Sequence, residues 1–268
     1  MNKTIGFIGS GNMGSAMIGG IISAGLVTPE QIIASDRNED SLTKLQNTYG
    51  IRTTTDNRTT AQHADILFLS VKPNIYPVVI PQIKDSIRPD AVIVSIAAGQ
   101  SIAKVESLFE KSIKLVRVMP NTPALVGEGM SALSPNSHVA AEELEEITAV
   151  FNSFGKSQVV PESLMDAVVG VSGSSPAYVY MFIEAMADAA VADGMPRAQA
   201  YKFAAQAVLG SAKMMLETGL HPGVLKDMVC SPGGTTIEAV AVLEQEGLRN
   251  AVIKAQRACV QKSKDMGK

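Results

Sequence analysis

Ile5-Gly6-Phe7-Ile8-Gly9-Ser10-Gly11-Asn12-Met13-Gly14 decides how the first half of this chain is read. A short apolar run enters glycines spaced G-x-G-x-x-G, and a helical pattern follows to about Ala24. Strand, glycine loop and helix in that order form the fingerprint of a dinucleotide-binding βα unit, because each glycine does a separate job. Gly9 permits the tight turn, Gly11 lets backbone N–H groups approach a pyrophosphate, and Gly14 lets the helix lie close to the strand. The helix N-terminus then turns its partial positive charge toward the phosphates. An ordinary glycine turn has the same letters, but here the preceding strand, the helix and a second strand at the right distance favour the dinucleotide.

Outward from this loop, β-branched runs recur at Ile32 to Ala34, Ile66 to Val71, Val92 to Ile96 and Leu115 to Val118, with helical segments between them. They are apolar at successive positions, as strands covered on both faces are, so the fold class is a doubly wound α/β sheet. Runs at Met130 to Leu133 and Gln158 to Val160, flanking a helix from about Ala140 to Phe154, extend the sheet at its edge. Beyond Gly155 and Pro161 the strand-like runs stop. Helices are expected over Glu162 to Val171, Ala177 to Ala192, Arg197 to Thr218, Gly223 to Met228, Thr236 to Glu246 and Leu248 to Lys264. The boundary falls near 156 to 163, giving a dinucleotide-binding domain over 1-158 and an all-α domain over 159-268. Ala177 to Ala192 is apolar on nearly all sides, and so small a helical domain offers little to bury it; a second subunit would supply the cover.

Composition narrows the partners. The 268 residues are 46% hydrophobic and 18% charged, which excludes a disordered or fibrous chain. Lys+Arg number 23 against Asp+Glu 26, without a basic run, which argues against nucleic acid or an anionic membrane and for a small molecule. The N-terminus carries no signal-peptide pattern, and the apolar stretch holding Glu184 and Asp188 is too short and too polar for a bilayer span. Cys230 and Cys259, with His63, His138 and His221, form neither a disulfide framework nor a metal cluster, so no metal and a reducing, cytoplasmic setting are expected.

Ligands of open α/β sheets bind beyond the strand ends, so those ends hold the candidate residues. The second strand closes at Ser35-Asp36-Arg37. Asp36 suits a ribose 2′-OH and so favours NAD, whereas Arg37 and the Ser35 hydroxyl suit a 2′-phosphate and so favour NADP. A third reading makes Asp36 the cap of the helix beginning near Glu39. Val71-Lys72-Pro73, Ala97-Ala98-Gly99 and Met119-Pro120-Asn121-Thr122-Pro123 close the third, fourth and fifth runs and suit a stiff floor beneath a nicotinamide ring; Lys72 taken alone reads more readily as a solvated loop lysine.

Reduction of a ketone calls for a general acid, and the chain offers few. His63 and His138 have polar, surface-type neighbours, and His221 suits a helix cap as well as catalysis. The chemically richest stretch is Cys230-Ser231-Pro232-Gly233-Gly234-Thr235-Thr236-Ile237-Glu238, where glycines, threonines and a helix start make an anion site for a carboxylate. Its structural alternative is a threonine N-cap with Glu238 in the first turn, and Cys230 reads best as a small buried hydrophobe. Val171-Ser172-Gly173-Ser174-Ser175-Pro176 is a second small-residue turn, explained equally by a serine cap. A protonated C=N bond fits such surroundings, because hydride addition neutralises it and leaves an amine needing only a hydrogen-bonding partner.

These residues resemble those of the pyrroline-5-carboxylate reductases, which make L-proline by reducing a cyclic imine. The likeness covers nearly the whole chain; its most specific part is Pro222-Gly223 to Leu225-Lys226-Asp227 followed by Ser231-Pro232-Gly233-Gly234-Thr235-Thr236-Ile237. The resemblance implies a Rossmann-type sheet followed by an all-α dimerisation domain. It implies that the dinucleotide touches Ile8, Gly9, Ser10, Gly11, Asn12, Met13, Gly14, Ser35, Asp36, Arg37, Asn57, Ser70, Val71, Lys72, Pro73, Ala97, Ala98 and Gly99. The substrate would meet Met119, Asn121, Ser172, Gly173, Ser174, Gly233, Gly234, Thr235 and Thr236, with Thr236, the catalytic candidate, nearest the ring nitrogen. It further implies NADPH in preference to NADH and a homo-oligomer built from dimers through the helical domain, whose partner copy helps to form the pocket. Asp36 stands against the NADPH preference, since its carboxylate repels a 2′-phosphate. The alternatives are a β-hydroxyacid dehydrogenase-like enzyme, which would use Lys202 or Lys213 in the second domain, and a non-catalytic NADP-binding sensor.

Overall fold

Apolar residues at successive positions do build a sheet buried on both faces. The computed structural model describes residues 1–267. It alternates β1 (Ile5–Ile8), α1 (Asn12–Ser23), β2 (Ile32–Ser35), α2 (Glu39–Tyr49), β3 (Arg52–Thr54), α3 (Asn57–His63), β4 (Ile66–Leu69), α4 (Tyr76–Ile83), β5 (Val92–Ser95), α5 (Ile102–Phe109) and β6 (Lys114–Met119). Then follow β7 (Gly129–Pro135), α6 (Ala141–Asn152) and β8 (Gly155–Val159). The eight strands lie in the order β3-β2-β1-β4-β5-β6-β7-β8. Neighbours from β3 to β6 are parallel, β7 runs antiparallel to β6, and β8 is parallel to β7, so the two late runs do extend the edge. Chain order reverses between β1 and β4, and there the glycine loop opens.

Each face of the sheet has its own core. One gathers Phe7, Phe68, Val94, Val116, Phe151 and Phe154 under α1 and α6, with the Phe7 and Phe68 rings stacked at 4.6 Å and the Phe68 and Phe151 rings tilted at 5.9 Å. The other gathers Ile8, Leu67, Leu69, Tyr76, Ile80, Ile93 and Phe109 under α4 and α5. Sequence reading misses β3, because Arg52–Thr54 is a short, polar, half-exposed edge strand without an apolar run.

The chain forms two compact units: Met1–Ser174 with the chain end from Cys259, and Ser175–Ala258. That division lies beyond the 156 to 163 boundary read from the loss of strands, because the segment after β8 stays with the first unit, where Met165 and Val169 are buried. The single helix expected over Glu162 to Val171 is broken into a 3₁₀ turn at Glu162–Leu164, α7 (Met165–Val168) and a π-turn at Val169–Gly173. The Ser174 N–H donates to the Val169 carbonyl at 2.8 Å, the wider ladder that defines such a turn. The second unit holds α8 (Ser175–Ala192), α9 (Arg197–Thr218), α10 (Pro222–Val229), α11 (Thr235–Gln245) and the start of α12 (Leu248–Gly267). In α8 only Ala187 is buried, while Tyr180, Met181 and Phe182 are exposed. Among the described residues no helix is long and apolar enough to cross a membrane.

Phe68 is fully buried between two other rings, so Phe68→Ala removes contacts that no neighbour can replace. The variant should lose about 3 to 5 kcal/mol of stability. Urea unfolding followed by circular dichroism should show a lower midpoint, and an unmoved midpoint would contradict this packing.

Candidate functional site

The glycine loop is held so tightly that only one of its three fingerprint positions has free space. Gly9 has φ +102, and a Cβ there would lie 2.7 Å from the Ser70 carbonyl oxygen. A Cβ at Gly14 would lie 2.7 Å from the Gly9 carbonyl oxygen. At Gly11 a Cβ would meet nothing within 4 Å. The Gly9 N–H donates to the Ser35 carbonyl at 2.8 Å, and the Ser70 hydroxyl donates to the Gly9 carbonyl at 2.6 Å, so β2 and β4 fix the loop from both sides. Gly11 is the N-cap of α1 and has no side chain to cap it. No side chain caps the first-turn N–H groups, which leaves them to an anion.

Beside the loop lies a cleft of about 750 Å³. It is lined by Ile8, Gly9 and Gly11, by Ser35, Asp36 and Arg37 at the end of β2, and by Ser70, Val71 and Lys72 after β4. Asn57 joins them from the start of α3, so ten of the residues expected at the cofactor meet on one cavity. Ser10, Asn12, Met13, Gly14 and Pro73 belong to the same loops without lining it. Ala97, Ala98 and Gly99 follow β5 and also lie outside it; a Cβ on Gly99 would come 3.0 Å from Met266 Cβ, so the end of α12 covers that turn. The wall also holds Thr55, Asp56, Asn74 and Gln82, which sequence reading does not find. The Ser35 hydroxyl is buried and donates to Asn57 Oδ1 at 2.8 Å, and Asn57 Nδ2 donates to Gln82 Oε1 at 3.1 Å. Tyr76 is fully buried, its hydroxyl donating to the Leu69 carbonyl at 2.8 Å with Ser95 Oγ at 3.1 Å; burial pushes its pKa up to about 12, so it stays a neutral tie between the ends of β4 and β5.

Asp36 is not the cap of α2. Asn38 fills that role, its side chain accepting from the Asp40 and Ser41 N–H groups. Asp36 instead turns back to the glycine loop, where its Oδ2 accepts the Ser10 N–H at 2.7 Å and the Ser10 hydroxyl at 2.8 Å, and its Oδ1 accepts the Asn38 N–H at 3.0 Å. Burial pushes this carboxyl up, but the hydrogen bonds from Asn38 and Ser10 outweigh it and hold the pKa below the usual value. Its contribution to stability is thus present above the ordinary carboxylate range and fades as pH falls through the lowered value.

The substrate candidates fall into two groups. Met119, Asn121, Ser172, Gly173 and Ser174 meet within the first unit: Asn121 Nδ2 donates to the Ser172 carbonyl at 3.0 Å, and its Oδ1 accepts the Met130 N–H at 2.8 Å. Met119 Cε lies 2.7 Å from where a Gly173 Cβ would stand. Asn121 is buried with both amide ends engaged, so it braces the π-turn. Gly233, Gly234, Thr235 and Thr236 lie in the second unit. There Gly234, not a threonine, is the N-cap of α11; it makes no side-chain cap, and Thr235 and Thr236 are the first helical residues. Cys230 beside them is half-buried. The histidines have structural partners or lie outside the cleft: His221 caps α10 by accepting the Gly223 N–H at 3.1 Å, His63 Nδ1 lies 2.8 Å from the Thr59 carbonyl, and His138 is exposed in a turn.

Residues 162–266 match the family model described as pyrroline-5-carboxylate reductase dimerisation, and residues 4–99 match NADP oxidoreductase coenzyme F420-dependent. The pyrroline-5-carboxylate reductase of Escherichia coli (strain K12) is 54% identical over 268 residues, covering 100% of both chains. The chain belongs to the pyrroline-5-carboxylate reductase family. The Methanosarcina acetivorans reductase is 48% identical, covering 100% of this chain and 99% of its own. Among solved structures, the Plasmodium falciparum pyrroline carboxylate reductase with NADP bound matches at TM-score 0.91 and 34% identity, covering 100% of this chain and 99% of that one. The Coxiella burnetii pyrroline-5-carboxylate reductase matches at TM-score 0.93 and 34% identity, covering 100% of both. The Rossmann-type sheet followed by a helical dimerisation domain is thus the architecture of this family.

For a member of this family the contrast between Gly9 and Gly11 is a direct test of the loop. Gly11→Ala should fold and melt like the wild type while weakening dinucleotide binding, because its methyl enters the open space. Gly9→Ala should lower the melting temperature through strain and collision with Ser70. Equal melting and equal binding for the two variants, measured by thermal unfolding and cofactor titration, would contradict this geometry.

Proposed function

We propose that the chain is the NAD(P)H-dependent reductase that converts 1-pyrroline-5-carboxylate to L-proline. The observation that carries the reading is the diglycine turn Gly233-Gly234, which opens α11 without a side-chain cap and sets Thr235 and Thr236 in its first turn. Such an end offers backbone N–H groups to a carboxylate and a hydroxyl to a neighbouring ring atom, so the substrate is an amino-acid-like anion held without arginine. Thr236 hydrogen-bonds the ring nitrogen and fixes which atom is presented for reduction.

The dinucleotide fits the first unit on its own evidence: an uncapped helix start, open space only at Gly11, and a cleft running past Ser35 to Asn57. The bound nicotinamide supplies the hydride. The first turn of α1 would hold the pyrophosphate, and Arg37 and Asn57 would hold the adenosine end. No strong acid is needed, because the reducible C=N bond already carries a positive charge that hydride delivery removes. This accounts for histidines that serve as caps or surface residues. A β-hydroxyacid dehydrogenase-like reading would need Lys202 or Lys213 of α9; Lys202 is exposed, and Lys213 is exposed with its amine 3.6 Å from Glu217.

The cofactor is NADPH, with NADH tolerated. Arg37 lines the cleft, is exposed and has no ion-pair partner among the described residues, as a 2′-phosphate ligand should. The helical unit pairs with a second copy, which covers the exposed apolar side chains of α8 and α9 such as Tyr180, Met181, Phe182 and Phe203.

Wild-type protein mixed with 1-pyrroline-5-carboxylate and NADPH should consume NADPH absorbance and yield proline. Absence of turnover with intact cofactor binding would favour a sensor. Thr236→Val should lower kcat roughly tenfold or more, the worth of one hydrogen bond to a charged group, with the NADPH dissociation constant unchanged. Thr236→Ser should retain most activity, and wild-type kinetics in the valine variant would refute the role.

A further inference from the structure

The loop residue Ser10 is nearly fully buried and does not line the cleft, yet it makes the closest contacts of Asp36, one of two carboxylates in the cleft wall; the other, Asp56, caps α3. Its N–H and hydroxyl both donate to Asp36 Oδ2, while the Asn38 N–H holds Oδ1. Ser10 is itself anchored, since the Ser15 hydroxyl donates to its carbonyl at 2.9 Å. An acid at the end of the second strand ordinarily accepts the ribose 2′-OH and so selects NAD over NADP. Here Oδ2 accepts twice and Oδ1 once, so three of the carboxylate's roughly four acceptor positions are taken. We infer that Ser10 is a specificity-determining residue, which engages the Asp36 carboxylate and thereby withholds it from the ribose of NADH.

This inference rests on the dinucleotide site proposed above and concerns only which dinucleotide that site prefers. Two consequences of the pairing act in one direction. The two hydrogen bonds to Oδ2 leave a ribose hydroxyl only the remaining position on Oδ1, which lowers the gain from binding NADH. The same bonds draw the carboxylate toward the loop and offset part of its negative charge, which lowers its repulsion of a 2′-phosphate beside Arg37. The amide of Ser10 is common to every residue type but proline, so the hydroxyl is the part that the sequence chooses at this position.

Removing the hydroxyl leaves the loop glycines and the Ser10 N–H in place. Ser10→Ala should therefore raise the ratio of kcat/KM for NADH to that for NADPH by about fivefold, the worth of one ordinary hydrogen bond. Asp36→Ala should move the same ratio toward NADPH. Adding Ser10→Ala to Asp36→Ala should then leave the ratio where Asp36→Ala puts it, because Ser10 acts through the carboxylate. Dissociation constants for both dinucleotides, measured by titration on each variant, should follow the kinetic ratios. An unmoved ratio in Ser10→Ala, or the same shift with and without Asp36, would overturn the role of Ser10 while leaving the cofactor site standing. Wild-type protein that binds neither dinucleotide would remove that site and this inference with it.

Discussion

The start of α1 must come within van der Waals contact of the β1 and β4 ends and still keep its amides open. Gly9 and Gly14 provide the approach, since any side chain at either would collide with backbone, and Gly11 leaves the N-terminus without a cap. A helix start stripped of side-chain partners is costly unless something else satisfies it, and an anion is the natural candidate. The other parts of the first unit serve this arrangement. Ser70 and the Ser35 carbonyl clamp the turn, Tyr76 ties neighbouring strand ends, and the aromatic layer of Phe7, Phe68 and Phe151 holds β1 against β4.

The second unit repeats that device in another setting. Gly234 opens α11 as Gly11 opens α1, again with no capping side chain, and there threonines add hydroxyls to the amides. Two helix starts without a side-chain cap suit the anionic ligands proposed above.

Much of this was legible in the letters because local chemistry decided it. The runs at Ile5, Ile32, Ile66, Val92 and Leu115 became parallel strands within a residue or two, since each must be apolar on both faces. Arg52–Thr54 escaped notice because an edge strand needs no such pattern, and with it went Thr55 and Asp56, which follow it into the cleft. Gln82 was equally silent: a polar residue on a helix reads as surface until its partner Asn57 is in place. Asp36 was readable as an acceptor, but its partner could not be read, because Ser10 lies in a different loop and only the fold joins them. The π-turn after Val168 likewise depends on Asn121, far away in sequence.

Amide hydrogen exchange with and without NADPH examines the open helix start most directly. The account predicts that peptides spanning residues 9 to 16 gain strong protection on binding, because the first-turn amides of α1 receive the pyrophosphate. Saturating NADPH that left those amides exchanging at the unliganded rate, with protection confined to other segments, would contradict it.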